Sequence, residues 1–261
     1  PMNDKPNRLA APAVGFAGMT RTDLRQWVEE RGFPAYRGDQ VFGWLHQKRT
    51  IDPQGMKNIP GDLRTALGEL EEPGLTHDET LVARDSTRKL LLSTPDGQRI
   101  ETVLIPMGDY YTQCLSTQVG CRLACDFCLT AKMGLKRHLS AREIVDQVHI
   151  GRTIDLDGLR VRNFVFMGMG EPLLNYEQVT CALRLARASD GQLQIGGRKM
   201  TVSTAGHVPG ILRLSEDDLN VGLAISLNAT EDETRSQIMP INRKWPIADL
   251  MAAAKTYFDR K

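Results

Sequence analysis

Apolar side chains recur at three- and four-residue spacing through the first quarter of the chain, which is the spacing of amphipathic helices. Thr20 and Asp23 are placed to form a capping box at the start of the first helix, and Gly32 ends it. The predicted helices lie at about residues 20–32, 38–48 and 61–70. We therefore expect a small helical accessory domain over residues 19–75. A flexible arm rich in Pro, Ala and Gly is expected over residues 1–18.

The hydrophobic period shortens between residues 76 and 108. Runs of apolar and β-branched residues at 89–93 and 100–105 flank the turn sequence Pro95-Asp96-Gly97, which is typical of a β-hairpin. We predict a β-hairpin extension over 76–108 that covers one end of the domain that follows. Glu101 interrupts the second strand, and strand alternation alone would direct its carboxylate to solvent.

From residue 109 onward, strand and helix patterns alternate, as they do in parallel βα units. The predicted strands lie at 111–118, 163–166, 199–203 and 221–226, and the clearest predicted helices begin after Ser140 or cover 175–188, 231–238 and 246–260. The fold class is therefore α/β: a partial parallel βα barrel over 109–261, preceded by the small helical domain and the hairpin extension.

A polar turn follows the carboxyl end of each predicted barrel strand, where parallel βα barrels place their chemistry. The turns after the second, third and fourth strands supply Gly170, Glu171, Ser203, Ser226, Leu227 and Asn228. Glycine lets backbone approach a ligand closely, and a carboxylate such as Glu171 accepts hydrogen bonds from an ammonium group. Each turn alone is equally compatible with a tight connection, so the prediction of one binding pocket depends on their shared position.

Composition excludes several classes of protein. Hydrophobic residues make up 41% of the 261 positions and charged residues 25%, with a net charge of +1, as in an ordinary soluble protein. No apolar run approaches the roughly 20 residues of a membrane span. We expect a cytoplasmic protein without membrane contact, because clustered cysteines are typical of a reducing compartment.

A local excess of basic residues lies beside the cysteine-rich stretch, although the net charge of the chain is close to zero. Its members are Arg122, Lys132, Lys136, Arg137, Arg142 and Arg152. Phosphates of a large RNA could dock here, and a simple solvated surface explains any one of these residues equally well.

Three cysteines, Cys121, Cys125 and Cys128, are separated by only four and three residues, so one loop can bring their sulfurs to a single metal centre. An iron–sulfur cube takes one thiolate per iron, so three cysteines leave one iron open to another ligand. Structural zinc is the alternative, with His138 as the nearest candidate for a fourth ligand. Against zinc, such sites usually join two separate pairs of ligands.

The spacing Cys-x3-Cys-x2-Cys, with Phe127 before the last cysteine, resembles the radical S-adenosylmethionine (SAM) superfamily. Ser116-Thr117-Gln118-Val119-Gly120 before the cysteines and residues 167–175 after them are similar to the RlmN/Cfr family, which methylates an aromatic carbon of adenosine in RNA. The resemblance implies one [4Fe-4S] cluster on the three cysteines. It also implies a SAM molecule on the open iron, whose reductive cleavage yields a 5′-deoxyadenosyl radical.

The resemblance also implies roles for individual residues. The six turn residues named above would contact SAM, although Asn228 stands where the family often has histidine. Cys114 alone would be an inert buried thiol, but it matches the cysteine that resolves a covalent enzyme–RNA adduct. Glu101 matches the general base that removes a proton from that adduct. The implied activity is methylation of adenosine C2.

The implied partners are RNA and a reductant. The expected substrates are 23S ribosomal RNA and, as a second candidate, transfer RNA; the expected electron donor is a protein such as flavodoxin, and the expected state is a monomer. Three alternatives stay open: a C8-methylating enzyme of the Cfr type, a radical SAM enzyme of protein maturation, and a zinc-stabilised RNA-binding module.

No cysteine follows Cys181, whereas the family places a methyl-accepting cysteine near its C-terminus. Only four barrel strands are recognisable. We therefore expect the 261-residue chain to be a truncated or partial form that binds a cluster but does not complete RNA methylation.

Overall fold

The computed structural model describes residues 16–46, 48, 52–70, 74–187, 193 and 195–261. The helices are α1 (Arg21–Glu29), α2 (Tyr36–His46), α3 (Gly61–Gly68), α4 (Leu129–Lys132), α5 (Ala141–Thr153), α6 (Tyr176–Arg187), α7 (Val208–Glu216), α8 (Asp232–Ile238) and α9 (Ile247–Arg260). The strands are β1 (Thr76–Val82), β2 (Arg88–Ser93), β3 (Arg99–Pro106), β4 (Tyr111–Cys114), β5 (Gln118–Val119), β6 (Arg137–His138), β7 (Val161–Phe166), β8 (Met200–Thr204) and β9 (Gly222–Ile225).

The N-terminal helices α1, α2 and α3 form where the apolar spacing predicts them. Thr20 caps α1, because its hydroxyl accepts a hydrogen bond from the Asp23 amide at 3.2 Å while the Asp23 carboxylate accepts one from the Thr20 amide at 3.0 Å. The arm predicted over 1–18 needs a correction at its end. Phe16–Gly18 is a buried 3-10 turn with Phe16 only 1% exposed, because its ring packs into the core; the rest of the predicted arm lies outside the described residues.

Among the described residues, seven strands form the main sheet in the order β1-β2-β3-β4-β7-β8-β9. Strands β4, β7, β8 and β9 run parallel to one another, and β1 to β4 are antiparallel neighbours. Helices α5 and α6 pack together on the parallel part, as expected for βα units. The predicted α/β fold with four parallel strands is confirmed.

The hairpin of β2 and β3 is present, and it is larger and placed differently than the sequence indicated. Strand β1 pairs with β2, so three antiparallel strands extend the edge of the main sheet at β4 instead of covering one end of the barrel. Nearly every residue of β1 is exposed, which removes the apolar alternation by which a half-buried strand is recognised.

The predicted strand over 111–118 is two elements. Strand β4 ends at Cys114, and the short β5 then pairs with β6 in a separate two-stranded sheet that frames the cysteine loop. The buried Ser116 marks the break. Its amide donates to the side chain of Gln147 at 2.8 Å and its hydroxyl donates to the Glu101 carbonyl at 2.5 Å, so side-chain and lateral contacts replace strand pairing.

A buried ion pair on α5 holds the connection between the helical domain and the barrel. The Asp146 carboxylate contacts Arg142 at 2.9 Å and accepts a hydrogen bond from the Leu75 amide at 3.1 Å. A Cβ added to Gly74 would lie 2.5 Å from the Asp146 carboxylate, so only glycine allows this approach.

Candidate active site

The cysteine loop, residues 120–128, leaves β5 through a turn that requires glycine. Gly120 has φ of 75°, and a Cβ there would lie 1.8 Å from the Gly134 carbonyl oxygen. The loop then packs on apolar residues from beyond β9: Cys121 and Leu123 share a small buried cluster with Met239 and Ile241. The amide of Asp126 donates to the Ile238 carbonyl at 2.9 Å, which joins the loop to the end of α8.

A cavity of about 360 Å³ opens at the carboxyl ends of the parallel strands, within the size range of small-molecule pockets. Cys121, Cys125 and Cys128 all line it. Other predicted site residues on its wall are Gly170, Glu171, Ser203, Ser226 and Asn228. The structure therefore brings the three thiols and the turns after β7, β8 and β9 to one cavity, as the polar strand ends predicted.

The thiols influence one another through the cavity. Burial raises the pKa of Cys125 to about 11, with further increases from the negative charges of Cys121, Cys128 and Glu171. Burial is also the main cause of the raised pKa of Cys121. This crowding of potential anions favours a bound group that carries positive charge, because metal ions deprotonate the thiols that ligate them.

The donor set fits an iron–sulfur cube. It consists of sulfur alone, which is the ligand that such clusters take. Among the described residues, no group of three or more His, Cys, Asp or Glu side chains is arranged around a single ion, and a cube spreads its thiolates over separate irons. His138, the candidate zinc ligand, is not part of the cavity wall formed by the described residues; its Nδ1 lies 3.0 Å from Nε2 of Gln118.

Glu171 is 2% exposed and its carboxylate is fixed by backbone groups. Oε1 accepts a hydrogen bond from the Leu173 amide at 3.1 Å and Oε2 accepts one from the Ala205 amide at 2.8 Å. Burial raises the pKa of Glu171 to about 7, and these hydrogen bonds limit the rise. Each oxygen keeps a second lone pair, so the carboxylate can still accept a hydrogen bond from a ligand.

Gly170 and the serines give the cavity a close backbone wall with hydroxyl groups on it. Gly170 has φ of 102°, and a Cβ there would lie 2.5 Å from Cβ of Gln118. The hydroxyls of Ser203 and Ser226 lie 3.4 Å apart across the ends of β8 and β9. Both can donate to or accept from a polar ligand.

The turn after β9 places its residues differently from one another. Asn228 adopts φ of 59° and lines the cavity, and its Nδ2 contacts Sδ of Met239 at 3.2 Å. Leu227, by contrast, is not part of the wall formed by the described residues, and its carbonyl accepts a hydrogen bond from Arg235 at 2.9 Å. Leu227 therefore meets the site through neighbouring backbone.

Cys114 and Glu101 share one face of the sheet. Cys114 is paired with Val103 across β3 and β4, and Glu101 is two residues from Val103 and so points the same way. Burial raises the pKa of Cys114 to about 11, and a hydrogen bond from the Met167 backbone opposes the rise. Because Met167 lines the cavity, Cys114 lies just behind the wall.

Glu101 is neither buried nor free. Its side chain is 43% exposed and contacts Nζ of Lys89 at 2.9 Å. The expectation of a solvent-facing strand carboxylate describes this position well, and the structure adds a lysine partner.

Half of the predicted basic surface is committed to structural contacts. Arg137 joins Asp96 and Glu143, and Arg142 pairs with Asp146. Arg152 donates to the Leu193 carbonyl at 3.1 Å. The members that remain exposed beside the cysteine loop are Arg122, Lys132 and Lys136.

One residue in contact with the cavity wall was missed by sequence reasoning. Arg235, on α8, is fully buried and donates hydrogen bonds to backbone carbonyls at the ends of β8 and β9. The available signal was an arginine four residues before Met239 on the apolar side of a short helix. Nothing in that spacing indicates which carbonyls it meets.

A parallel βα sheet with a three-thiol loop and a cavity at its strand ends defines a radical SAM protein, and comparison with known proteins agrees. The model of the "Radical SAM superfamily" matches residues 115–261. The model of the "Ribosomal RNA large subunit methyltransferase N-terminal domain" matches residues 14–72. A crystal structure of a radical SAM methyltransferase from Sphaerobacter thermophilus superposes with a TM-score of 0.81 at 39% identity, covering 94% of this chain and 72% of that one.

Similar sequences narrow the class to one family. The dual-specificity RNA methyltransferase RlmN of Marinobacter nauticus is 42% identical over 96% of this chain and 69% of its own length. A probable RlmN of Heliobacterium modesticaldum is 45% identical over 92% of this chain and 66% of its own length. The chain belongs to the RlmN family of radical SAM RNA methyltransferases, and it spans about two thirds of the length of these relatives.

Membership confirms the predicted family, whose enzymes use a [4Fe-4S] cluster and SAM. It also favours the cluster over the zinc alternative. None of the helices in the described part of the chain combines the length and apolar character that a membrane crossing requires.

Proposed function

We propose that this chain methylates C2 of adenosine in 23S ribosomal RNA, with transfer RNA as a second substrate. The observation that carries the proposal is the common cavity, where three thiols meet the carboxylate of Glu171 and the hydroxyls of Ser203 and Ser226. Sequence similarity to enzymes named dual-specificity RNA methyltransferases supports the choice of an RNA substrate.

Cys121, Cys125 and Cys128 would hold three irons of a cluster. When bound, the cluster and SAM together supply the 5′-deoxyadenosyl radical. Glu171 would accept hydrogen bonds from the SAM ammonium, because its two oxygens lie on the cavity wall with acceptor capacity left. Ser203, Ser226, Leu227 and Asn228 would bind the rest of SAM, Leu227 through its backbone. Gly170 would leave room for the ligand's close approach.

We propose that Cys114 resolves the covalent RNA adduct and that Glu101 removes the proton. Their position on one face of neighbouring strands supports a shared task. Glu101 would have to leave Lys89 to meet the adduct, and its 43% exposure permits that rotation. The raised pKa of Cys114 means that RNA binding, or the adduct itself, must favour its thiolate before it attacks.

The helical domain over 19–75 is proposed to hold RNA. Its support is the match to the ribosomal RNA methyltransferase N-terminal domain and the arginine–aromatic pairs on its helices, such as Arg31 over Trp27 at 4.0 Å. We further propose the hairpin extension over 76–108 and the barrel over 109–261 as separate units. A flavodoxin-like electron donor, a monomeric state and a cytoplasmic location complete the proposal.

The test is nucleoside mass spectrometry of RNA from a host that lacks its own adenosine C2 methylation. The protein is expressed there from its gene, and 23S ribosomal RNA and transfer RNA are digested separately. We expect 2-methyladenosine in both. A signal at 8-methyladenosine would favour the Cfr-type reaction. Unmodified RNA, from protein that still forms 5′-deoxyadenosine, would favour a radical SAM enzyme that acts on another substrate.

A further inference from the structure

Arg235 is a fully buried cation next to the candidate SAM site. Its guanidinium donates four hydrogen bonds, to the carbonyls of Leu227 at 2.9 Å, Ala205 at 2.6 Å and Ser226 at 3.2 Å, and to Oδ1 of Asn242 at 2.7 Å. All four acceptors are neutral oxygens. A planar guanidinium can reach several acceptors at fixed angles, which no other cationic side chain can do.

The three carbonyls belong to two turns that are adjacent in space and distant in sequence. Ala205 follows β8, and Ser226 and Leu227 follow β9. The amide of Ala205 also donates to Oε2 of Glu171 at 2.8 Å, so a continuous path of contacts runs from Glu171 through Ala205 to Arg235 and on to Leu227. One side chain therefore sets the distance between two walls of the cavity.

The guanidinium is itself held in place. Nδ2 of Asn242 donates to the Asp232 carboxylate at 2.8 Å and to the Ser236 hydroxyl at 2.9 Å, while Oδ1 of Asn242 accepts from Arg235. A support of this kind limits rotation of the residue that it holds.

The charge of Arg235 faces the cysteine loop. Burial lowers the pKa of Arg235, and attraction to Asp232 and then to Cys125 opposes that change. Arginine nevertheless stays protonated at neutral pH. A buried charge without an ion-paired acceptor costs stability, so an apolar residue of similar volume would serve a purely structural purpose better.

We propose that Arg235 is a positioning residue for the SAM site, which fixes the turns at Ala205 and at Ser226–Leu227 and directs a permanent positive charge toward the cluster loop. This inference rests on the proposed function. It has two separable consequences. The geometry of the turns governs SAM affinity, and the charge favours the reduced cluster, which gains one electron from an external one-electron donor while no bond forms or breaks.

Two substitutions separate geometry from charge. Arg235→Met removes both, whereas Arg235→Lys keeps the charge but not the planar fork. Arg243→Met is the matched control, because Arg243 lies in the same segment after α8 and is exposed. Each protein is reconstituted anaerobically with iron and sulfide, and three quantities are measured: iron content, the SAM dissociation constant by equilibrium dialysis, and the cluster midpoint potential by dithionite titration followed by electron paramagnetic resonance.

We expect Arg235→Met to weaken SAM binding at least about tenfold, because several hydrogen bonds to a charged group are lost, and to make the midpoint potential more negative. Arg235→Lys should also weaken SAM binding but leave the potential close to that of the unsubstituted protein. Arg243→Met should change neither. If Arg235→Met does not fold, Arg235→Lys against Arg243→Met decides the positioning role alone.

SAM affinity in Arg235→Lys equal to that of the control would overturn the positioning role. An unchanged potential in folded Arg235→Met would overturn the charge effect. Failure of the proposed function is distinguishable, since it would appear as absent cluster or absent SAM binding in the unsubstituted protein.

Discussion

The backbone amide of Ala205 donates a 2.8 Å hydrogen bond to Oε2 of Glu171, across the ends of two neighbouring parallel strands. The two residues are 34 positions apart in sequence. This contact fixes a buried carboxylate on the wall that also carries the three cysteines, and it makes the shape of the cavity depend on how the turns after β7 and β8 pack.

Replacing Glu171 with glutamine should preserve the fold and weaken SAM binding. The amide side chain keeps one oxygen acceptor, but its NH2 group must face one of the two backbone amides that Glu171 now satisfies, and it carries no charge for an ammonium. We expect SAM affinity to fall about tenfold or more at unchanged iron content. Equilibrium dialysis of the reconstituted protein measures it. Affinity within a factor of two of the unsubstituted protein would contradict the assigned ammonium contact.

Gly170→Ala should block the cavity. The added Cβ would meet Cβ of Gln118 at 2.5 Å, and the φ of 102° is unfavourable for alanine. Gly108→Ala is the matched control, since Gly108 has φ of 82° but nothing within 4 Å of an added Cβ. We expect loss of SAM binding only in Gly170→Ala, with a similar backbone cost of about 1 kcal/mol in both proteins. Equal SAM binding by the two variants would show that the close approach does not matter.

The buried pair on α5 should be sensitive to the loss of one partner. Asp146→Ala leaves Arg142 buried without its carboxylate and leaves the Leu75 amide unpaired. We expect the free energy of unfolding in urea to fall by about 3–5 kcal/mol. The double variant Arg142→Leu/Asp146→Leu should be less destabilised than Asp146→Ala. The opposite order would mean that the charges themselves stabilise the fold.

Asp96 should make stability depend on acid. Hydrogen bonds from Arg137 hold the pKa of Asp96 well below its usual range. Because this pKa is lower in the folded than in the unfolded protein, the stabilisation is present at neutral pH and is lost as pH falls below the unfolded value of about 4. The side chain is 48% exposed, so the effect is limited to about 1 kcal/mol.

Comparing Asp96→Asn with the unsubstituted protein between pH 7 and pH 3 isolates this contribution, because the other carboxylates are common to both. We expect the gap in unfolding free energy to narrow as pH falls. A gap that stays constant over this range would rule out the Arg137–Asp96 contact as its source.

Local chemistry explains why some of the site could be predicted from sequence. Cys121, Cys125 and Cys128 lie in one loop, so their spacing alone indicates a shared centre. The Thr20 capping box and the apolar stripes of the helices are local in the same sense. The turns at Gly170, Ser203 and Ser226 could be placed at one cavity because parallel strands end at the same edge of a sheet.

Non-local contacts explain what sequence reasoning missed. Arg235 acts on backbone carbonyls, which leave no residue pattern. Strand β1 is exposed almost throughout, so it lacks alternation. The shared face of Cys114 and Glu101 depends on the register between β3 and β4, and a shift of one residue would have separated them.

The most direct test of the central claim is the formation of 5′-deoxyadenosine by the reconstituted chain with SAM and dithionite, measured by mass spectrometry beside its iron and sulfide content. We predict four irons and four sulfides per chain, following the cube that three cysteines can hold, and 5′-deoxyadenosine that disappears in Cys125→Ala. One equivalent of zinc without sulfide, together with no 5′-deoxyadenosine, would contradict the assignment of a radical SAM centre to this cavity.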